Sequence, residues 1–314
     1  LGRLEQVRTQ SFLLRASFNV EYRLIELVTR LPLPRILRNL FILRGVFNFL
    51  GNRDWRNLLD PQLSVRKHSS IILNAPQFSR ENLSRFISYS LEEYEIMALR
   101  NSEIEKKVLS ALEVECKKIF EDKNLSFNDQ NSLVILSLHY GSFTLGILAL
   151  RSLGRPVYVL GSNIVNSPLL PHGIQRFFEI KYKTMNAFLN GGRILFLEQH
   201  KKQFFTYLKK GAVGVALADL LADRSNSSLT VNFFGELRDV QAGVAHFAHK
   251  HDLFIGFFLC RRKHGKGILF DLKLNEDNSI ELLEIIQGLF NSLQNRKQFP
   301  KRHWLIADSF YNKK

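Results

Sequence analysis

Cysteine is nearly missing from this chain of 314 residues, which carries only Cys116 and Cys260. Two thiols exclude a disulfide-stapled scaffold and fit a reducing cytoplasm, each acting as a small buried hydrophobe. Uninterrupted apolar runs of about 18 residues are missing too, so a membrane-spanning helix is not expected. There is no Gly-x-Ser-x-Gly elbow, no Walker loop and no dinucleotide fingerprint. Internal repeats and low-complexity linkers are absent. Acidic residues are scarce relative to basic ones, 29 Asp and Glu against 44 Lys and Arg, for a formal charge of +15. That excess implies a negatively charged partner: nucleic acid, an anionic membrane, or an acidic carrier or substrate.

What is present suffices for a large core, with 45% hydrophobic and 23% charged residues. Three textures follow one another. Residues 1–130 show helical i, i+3, i+4 apolar spacing, as in "ENLSRFISYSLEEYEIMALR" and "SEIEKKVLSALEVECKKIFEDK", where Ser102 caps a helix and Glu105 completes a capping box. Residues 131–275 turn to short apolar runs at 133–138, 156–160, 193–198, 213–218, 229–234, 254–260 and 268–274, with helical segments at 199–210 and 241–251. Residues 276–314 open on an amphipathic helix and close on a basic and aromatic tail. Alternating strand and helix predicts an α/β fold, a mostly parallel sheet covered by helices behind an N-terminal helical layer, in one structural domain.

Within the first region, residues 31–50, "LPLPRILRNLFILRGVFNFL", set Arg35, Arg38 and Arg44 among bulky apolar residues at helical spacing after a Pro-x-Pro entry. Two readings stay open: a helix lying in a membrane interface with arginines on lipid phosphates, or an amphipathic helix facing the core.

Chemistry is expected at the stretch "LVILSLHYGSFTLGI", 133–147. A continuous Val/Ile/Leu run reads as a parallel strand buried on both faces, and ligands of open α/β sheets gather beyond the carboxyl ends of such strands. His139 sits at that end. In parallel strands, Gly161-Ser162-Asn163, Glu198 and Asp219 collect on the same rim. A histidine base with a carboxylate to fix its tautomer suits acyl transfer to a hydroxyl or amine. Gly141 and Ser142 offer backbone N–H groups to a developing negative charge, or simply form a tight turn.

These residues, with "NSPLL", the basic "QRFFEIKYK", "YLKKGAVGVALAD", "VNFFGELRDVQAGVAHFAHKHDLFI" and "FPKRHWLIADSF", resemble in order and spacing the lysophospholipid acyltransferase superfamily, in its lipid A branch. The resemblance runs from about residue 20 to the end of the chain. It implies a glycerol-3-phosphate acyltransferase-like fold. It also implies an acyl-carrier-protein or acyl-coenzyme A thioester as donor, no further cofactor, and a peripheral place on the cytoplasmic face of the inner membrane. Carried over residue by residue, His139 is the base, Arg176, Lys181 and Lys183 hold phosphates, Asp219 is an acidic position, and Phe233, Phe234 and Gly235 wall the site. One departure stands out: "HYGSFT" carries Thr144 where the family has Asp or Glu. Threonine accepts a hydrogen bond but brings no charge. Three accounts follow: Asp219 or Glu198 supplies the charge, a weaker base serves a specialised acceptor such as an amine in a natural-product pathway, or the fold is kept as a non-catalytic lipid binder.

"HFAHKH" (His246, His249, His251) lacks carboxylate or cysteine at ligand spacing, so no metal is expected. "QHKKQFFTYLKK" interleaves lysine with aromatics, yet fits a plain amphipathic helix, and no nucleic acid is expected.

Overall fold

The computed structural model describes residues 2–31, 33–58, 65–72, 74–122, 132–220, 227–233, 235–262, 268–275, 281–295 and 301–305. Five helices come first: α1 (Gly2–Val28), α2 (Pro34–Leu50), α3 (Val65–Ile72), α4 (Arg80–Ala98) and α5 (Glu103–Asp122). Then follow β1 (Leu133–Gly141), α6 (Phe143–Ala149), β2 (Val157–Gly161), α7 (His172–Asn186), β3 (Ile194–Phe196), α8 (Leu197–Leu208) and β4 (Val213–Leu217). A hairpin of β5 (Ser228–Phe233) and β6 (Glu236–Gln241) precedes α9 (Gly243–Lys250), β7 (Phe254–Arg262), β8 (Ile268–Asn275) and α10 (Leu282–Asn295). The fold is α/β.

Six strands form the main sheet in the order β3-β2-β4-β1-β7-β8, parallel except for β8, which runs antiparallel to β7. β1 lies at its centre, with Ile135 opposite Val215 of β4 on one side and Gly256 of β7 on the other. Its near-continuous apolar sequence follows from that position, since both faces are covered. Val134, Leu136 and Leu138 pack with α8, α9 and α10, whereas Leu133 and Ile135 pack with α5 and α6. The run at 229–234 does not join this sheet as its parallel reading required. It pairs antiparallel with β6 across a two-residue turn, Phe233 opposite Glu236. Gln287 of α10 finishes the edge of β5, accepting from Asn232 N–H at 2.8 Å and donating to Asn232 C=O at 2.7 Å.

α4 explains the helical layer. It packs along α2 and touches α6, α7 and β1, so its second half is buried all round rather than on one face. Its three glutamates there, Glu92, Glu93 and Glu95, each meet a cation from a different element: Lys181 of α7, Arg44 of α2 and Arg262 of β7. Buried carboxylates need such partners. Ser102 caps α5, accepting from Glu105 N–H at 3.3 Å. The Glu105 side chain does not complete the box, because its carboxylate is taken by Arg262 at 2.9 Å.

α2 buries one face, as the core-facing reading of 31–50 expects, and leaves a second apolar face exposed. Leu37, Phe41, Gly45 and Phe49 are buried, and Gly45 lies against Ile87 of α4 so closely that a Cβ would meet its backbone at 2.7 Å. Leu33, Ile36, Leu40, Leu43, Phe47 and Leu50 form a second, exposed apolar stripe. Arg44 does not turn outward; it bonds Glu21 and Glu93. Among the described residues no helix is long and apolar enough to cross a membrane.

Candidate active site

α6, which follows β1, lies on one face of the sheet, and α9, which lies on the connection from β4 through the hairpin to β7, on the other. Between the adjacent strands β1 and β4 the connections therefore part, leaving a crevice at their carboxyl ends. His139 lies near the end of β1 there and Asp219 stands just past β4. Asp219 Oδ1 accepts from His139 Nδ1 at 2.8 Å, and Asp219 Oδ2 accepts from the His139 backbone N–H and from the Trp304 indole N–H, each at 2.8 Å. Asp219 is fully buried, while the His139 side chain keeps 24% of its surface. A carboxylate can only accept, so the ring proton sits on Nδ1 and leaves the Nε2 lone pair as the base. Phe143 packs edge-on to the imidazole at 5.1 Å.

Trp304 is held from behind by Phe233, edge-on at 5.0 Å, and its chain segment is tied to β1 by a Tyr140–Trp304 bridge and by Leu305 N–H to His139 C=O at 2.7 Å. The same late segment thus fixes both the strand end and the carboxylate.

His139 opens into a cavity of about 1010 Å³. One end, between α4, α7 and the 3-10 turn Trp55–Leu58, carries Trp55, Arg56, Tyr89, Glu92, Lys181 and Tyr182; the other, on the opposite face of the sheet, is walled by small and apolar residues such as Phe205, Ala216, Ala242, Val244 and Ile286. Lys181 donates to both oxygens of Glu92, at 2.7 and 2.8 Å, and Thr144 donates its hydroxyl to Glu92 as well. Burial pushes the phenols of Tyr89 and Tyr182 well above their usual range, so both stay neutral.

The remaining candidates fall elsewhere. Glu198 does not end a strand: β3 stops at Phe196, and Glu198 lies exposed in the first turn of α8, outside the cavity wall. Gly141 has φ +54° and a Cβ would meet Cys260 C=O at 2.7 Å, so its role is the irregular β1–β7 register. The Ser142 N–H is spent on Cys260 C=O at 3.0 Å and cannot serve a reacting oxygen. Arg176 pairs with Glu26 of α1, and Lys183 is exposed; neither lines the cavity. Phe233 supports Trp304 instead of walling the site, Gly235 is the exposed turn glycine of the hairpin at φ +82°, and Phe234 lies outside the described residues. Asp219 is thus the carboxylate that reaches His139. Glu92 was not singled out by sequence, and Trp304 entered only as the tryptophan of "FPKRHWLIADSF", with no role at the site; the signal for Glu92 was three glutamates, Glu92, Glu93 and Glu95, crowded within four residues of one helix.

Among the described residues no three metal-ligating side chains come together. No model of a known protein family matches the chain, and no curated protein matches it.

Proposed function

We propose that this chain is an acyltransferase that moves a fatty acyl group from a thioester, on an acyl-carrier protein or coenzyme A, to a hydroxyl of a lipid-like acceptor. One observation carries the reading: a histidine oriented by a buried carboxylate opens its free nitrogen into a long, largely apolar cavity at the switch point of a parallel sheet. His139 Nε2 takes the proton of the acceptor hydroxyl as its oxygen attacks the thioester carbonyl. Asp219 stabilises the imidazolium so formed, which then protonates the departing thiolate. Asp219 does the work that position 144 does in the superfamily the sequence resembles, and Thr144 instead braces Glu92.

The chain works at a membrane surface in this reading. The outward stripe of α2 continues the theme of Phe12, Leu13, Val20, Leu24 and Leu27 on α1, all exposed, with Arg23, Arg30 and Arg35 exposed among them. Apolar surface of that extent beside arginines suits an anionic leaflet.

The test is release of free thiol from acyl-carrier-protein and acyl-coenzyme A donors in the presence of lipid acceptors. Turnover that disappears in His139→Ala supports transfer. Thr144 favours a second reading, an acyl-binding protein without transfer, and saturable binding of the thioester with no thiol release would select it.

A further inference from the structure

We propose that the polar end of the cavity receives an uncharged polyol head group, glycerol- or sugar-like, and not a phosphorylated one; the inference rests on the acyl-transfer reading and names its acceptor class. The charges on the wall carry it. Arg56 turns its guanidinium edge onto Asp54, Nε to Oδ1 at 2.9 Å and Nη2 to Oδ2 at 2.7 Å, and Asp54 is buried. Lys181 likewise spends its ammonium on both oxygens of buried Glu92. Each described cation lining this end therefore faces a carboxylate. Lys201, the remaining described cation on the wall, stands exposed on α8 on the other face of the sheet.

A phosphate needs cations with donors to spare, ideally a guanidinium fork. Placed here it would meet a Glu92–Lys181 pair whose charges already cancel, and so would find no net positive charge to offset the cost of burying its own. Hydroxyls bear no such cost: they donate to carboxylate oxygens and accept from an ammonium. Trp55, Tyr89 and Tyr182 add flat surfaces, with the Trp55 indole N–H taken by the Tyr89 hydroxyl at 2.8 Å, suited to a ring or chain that is apolar on one side and hydroxylated on the other. The head group so held presents a hydroxyl toward His139 across the ring of Phe143, which both His139 and Lys181 touch.

The test compares an alkyl glucoside, an alkyl glycerol ether and an alkyl phosphate of one chain length, each below its micellar concentration, by the change in emission of Trp55 and by calorimetry on the whole chain. The uncharged heads are expected to bind at least about tenfold more tightly than the phosphate. Equal or tighter binding of the alkyl phosphate, or no binding of either uncharged amphiphile, overturns the proposal. Glu92→Gln, which leaves Lys181 without its counter-charge, is expected to raise alkyl phosphate affinity by about tenfold or more; Asp54→Asn makes the same change at Arg56 if that variant does not fold. Tight uncharged binding without thioester turnover removes the transferase reading and leaves the head-group assignment standing. Turnover onto a phosphorylated acceptor in preference does the reverse.

Discussion

Two buried carboxylates flank the cavity, and their company differs. Glu92 is matched by an ammonium already in place, with Thr144 as a further donor. Asp219 receives a backbone N–H, an indole N–H and a ring N–H, none of them a formal cation while the imidazole is neutral. Among the described residues, a proton arriving on His139 therefore creates the first cation bonded to Asp219, and the attraction between them is realised only at that moment. No comparable gain remains at Glu92. One pair is poised for a change of charge and the other is settled, so substitutions in the two should strike different properties.

The largest effect is expected where that contrast is broken outright. Asp219→Asn should lower kcat by about 10² to 10⁴-fold while the fold persists. Glu92→Gln should instead cost about 3–5 kcal/mol of stability by orphaning a buried ammonium, and adding Lys181→Met should recover much of it. Denaturant titration beside steady-state kinetics separates the two, and an Asp219→Asn enzyme of normal kcat would refute the contrast.

A third carboxylate sharpens it. Burial pushes Glu95 up to about 7, Arg262 opposes the shift and Glu105 adds to it. The folded chain thus holds this proton more tightly than the unfolded chain, whose ordinary value is 4.5. The associated stability is fully present below that ordinary value and is lost as pH rises through about 7. Glu95→Gln should accordingly gain up to about 3 kcal/mol over the parent at alkaline pH and almost nothing in acid. Melting temperatures across that range give the answer; parallel curves would show that Glu95 does not titrate there.

Smaller still is Trp304→Phe, which keeps an aromatic ring against Phe233 and deletes one donor to Asp219. A loss of about 1–3 kcal/mol is expected, read as a fall in kcat with KM little changed. Last, Phe47→Glu on the outward stripe of α2 should leave stability within about 0.5 kcal/mol, since it touches no buried group, yet abolish co-sedimentation with anionic vesicles.

Much of this is legible in the sequence. β1 and β4 are apolar throughout because they are covered on both faces, and that pattern located His139 and Asp219 at their ends. Glu198 was misplaced because "RILFLE" reads as one strand, whereas the chain turns into α8 after Phe196. β6, "ELRDVQ", has no strand alternation to read: it forms one strand of a separate ribbon and five of its six residues are not fully buried. Glu92 was hidden by the rule that charges on a helix mark its wet face, a rule that fails when each charge finds an opposite one from elsewhere in the chain. The partner of Trp304 was hidden by distance, since 85 residues separate it from the carboxylate it holds.

That distance has a consequence for synthesis. His139 leaves the ribosome long before Asp219, and Asp219 long before the segment that clamps both. A nascent or truncated chain that stops between α10 and Trp304 contains base and carboxylate yet lacks the indole donor, the bridge to Tyr140 and the tie on His139 C=O. On the acyl-transfer reading, loss of that segment would impair transfer without touching either reacting residue, and unfinished chains on the ribosome would lack the same support.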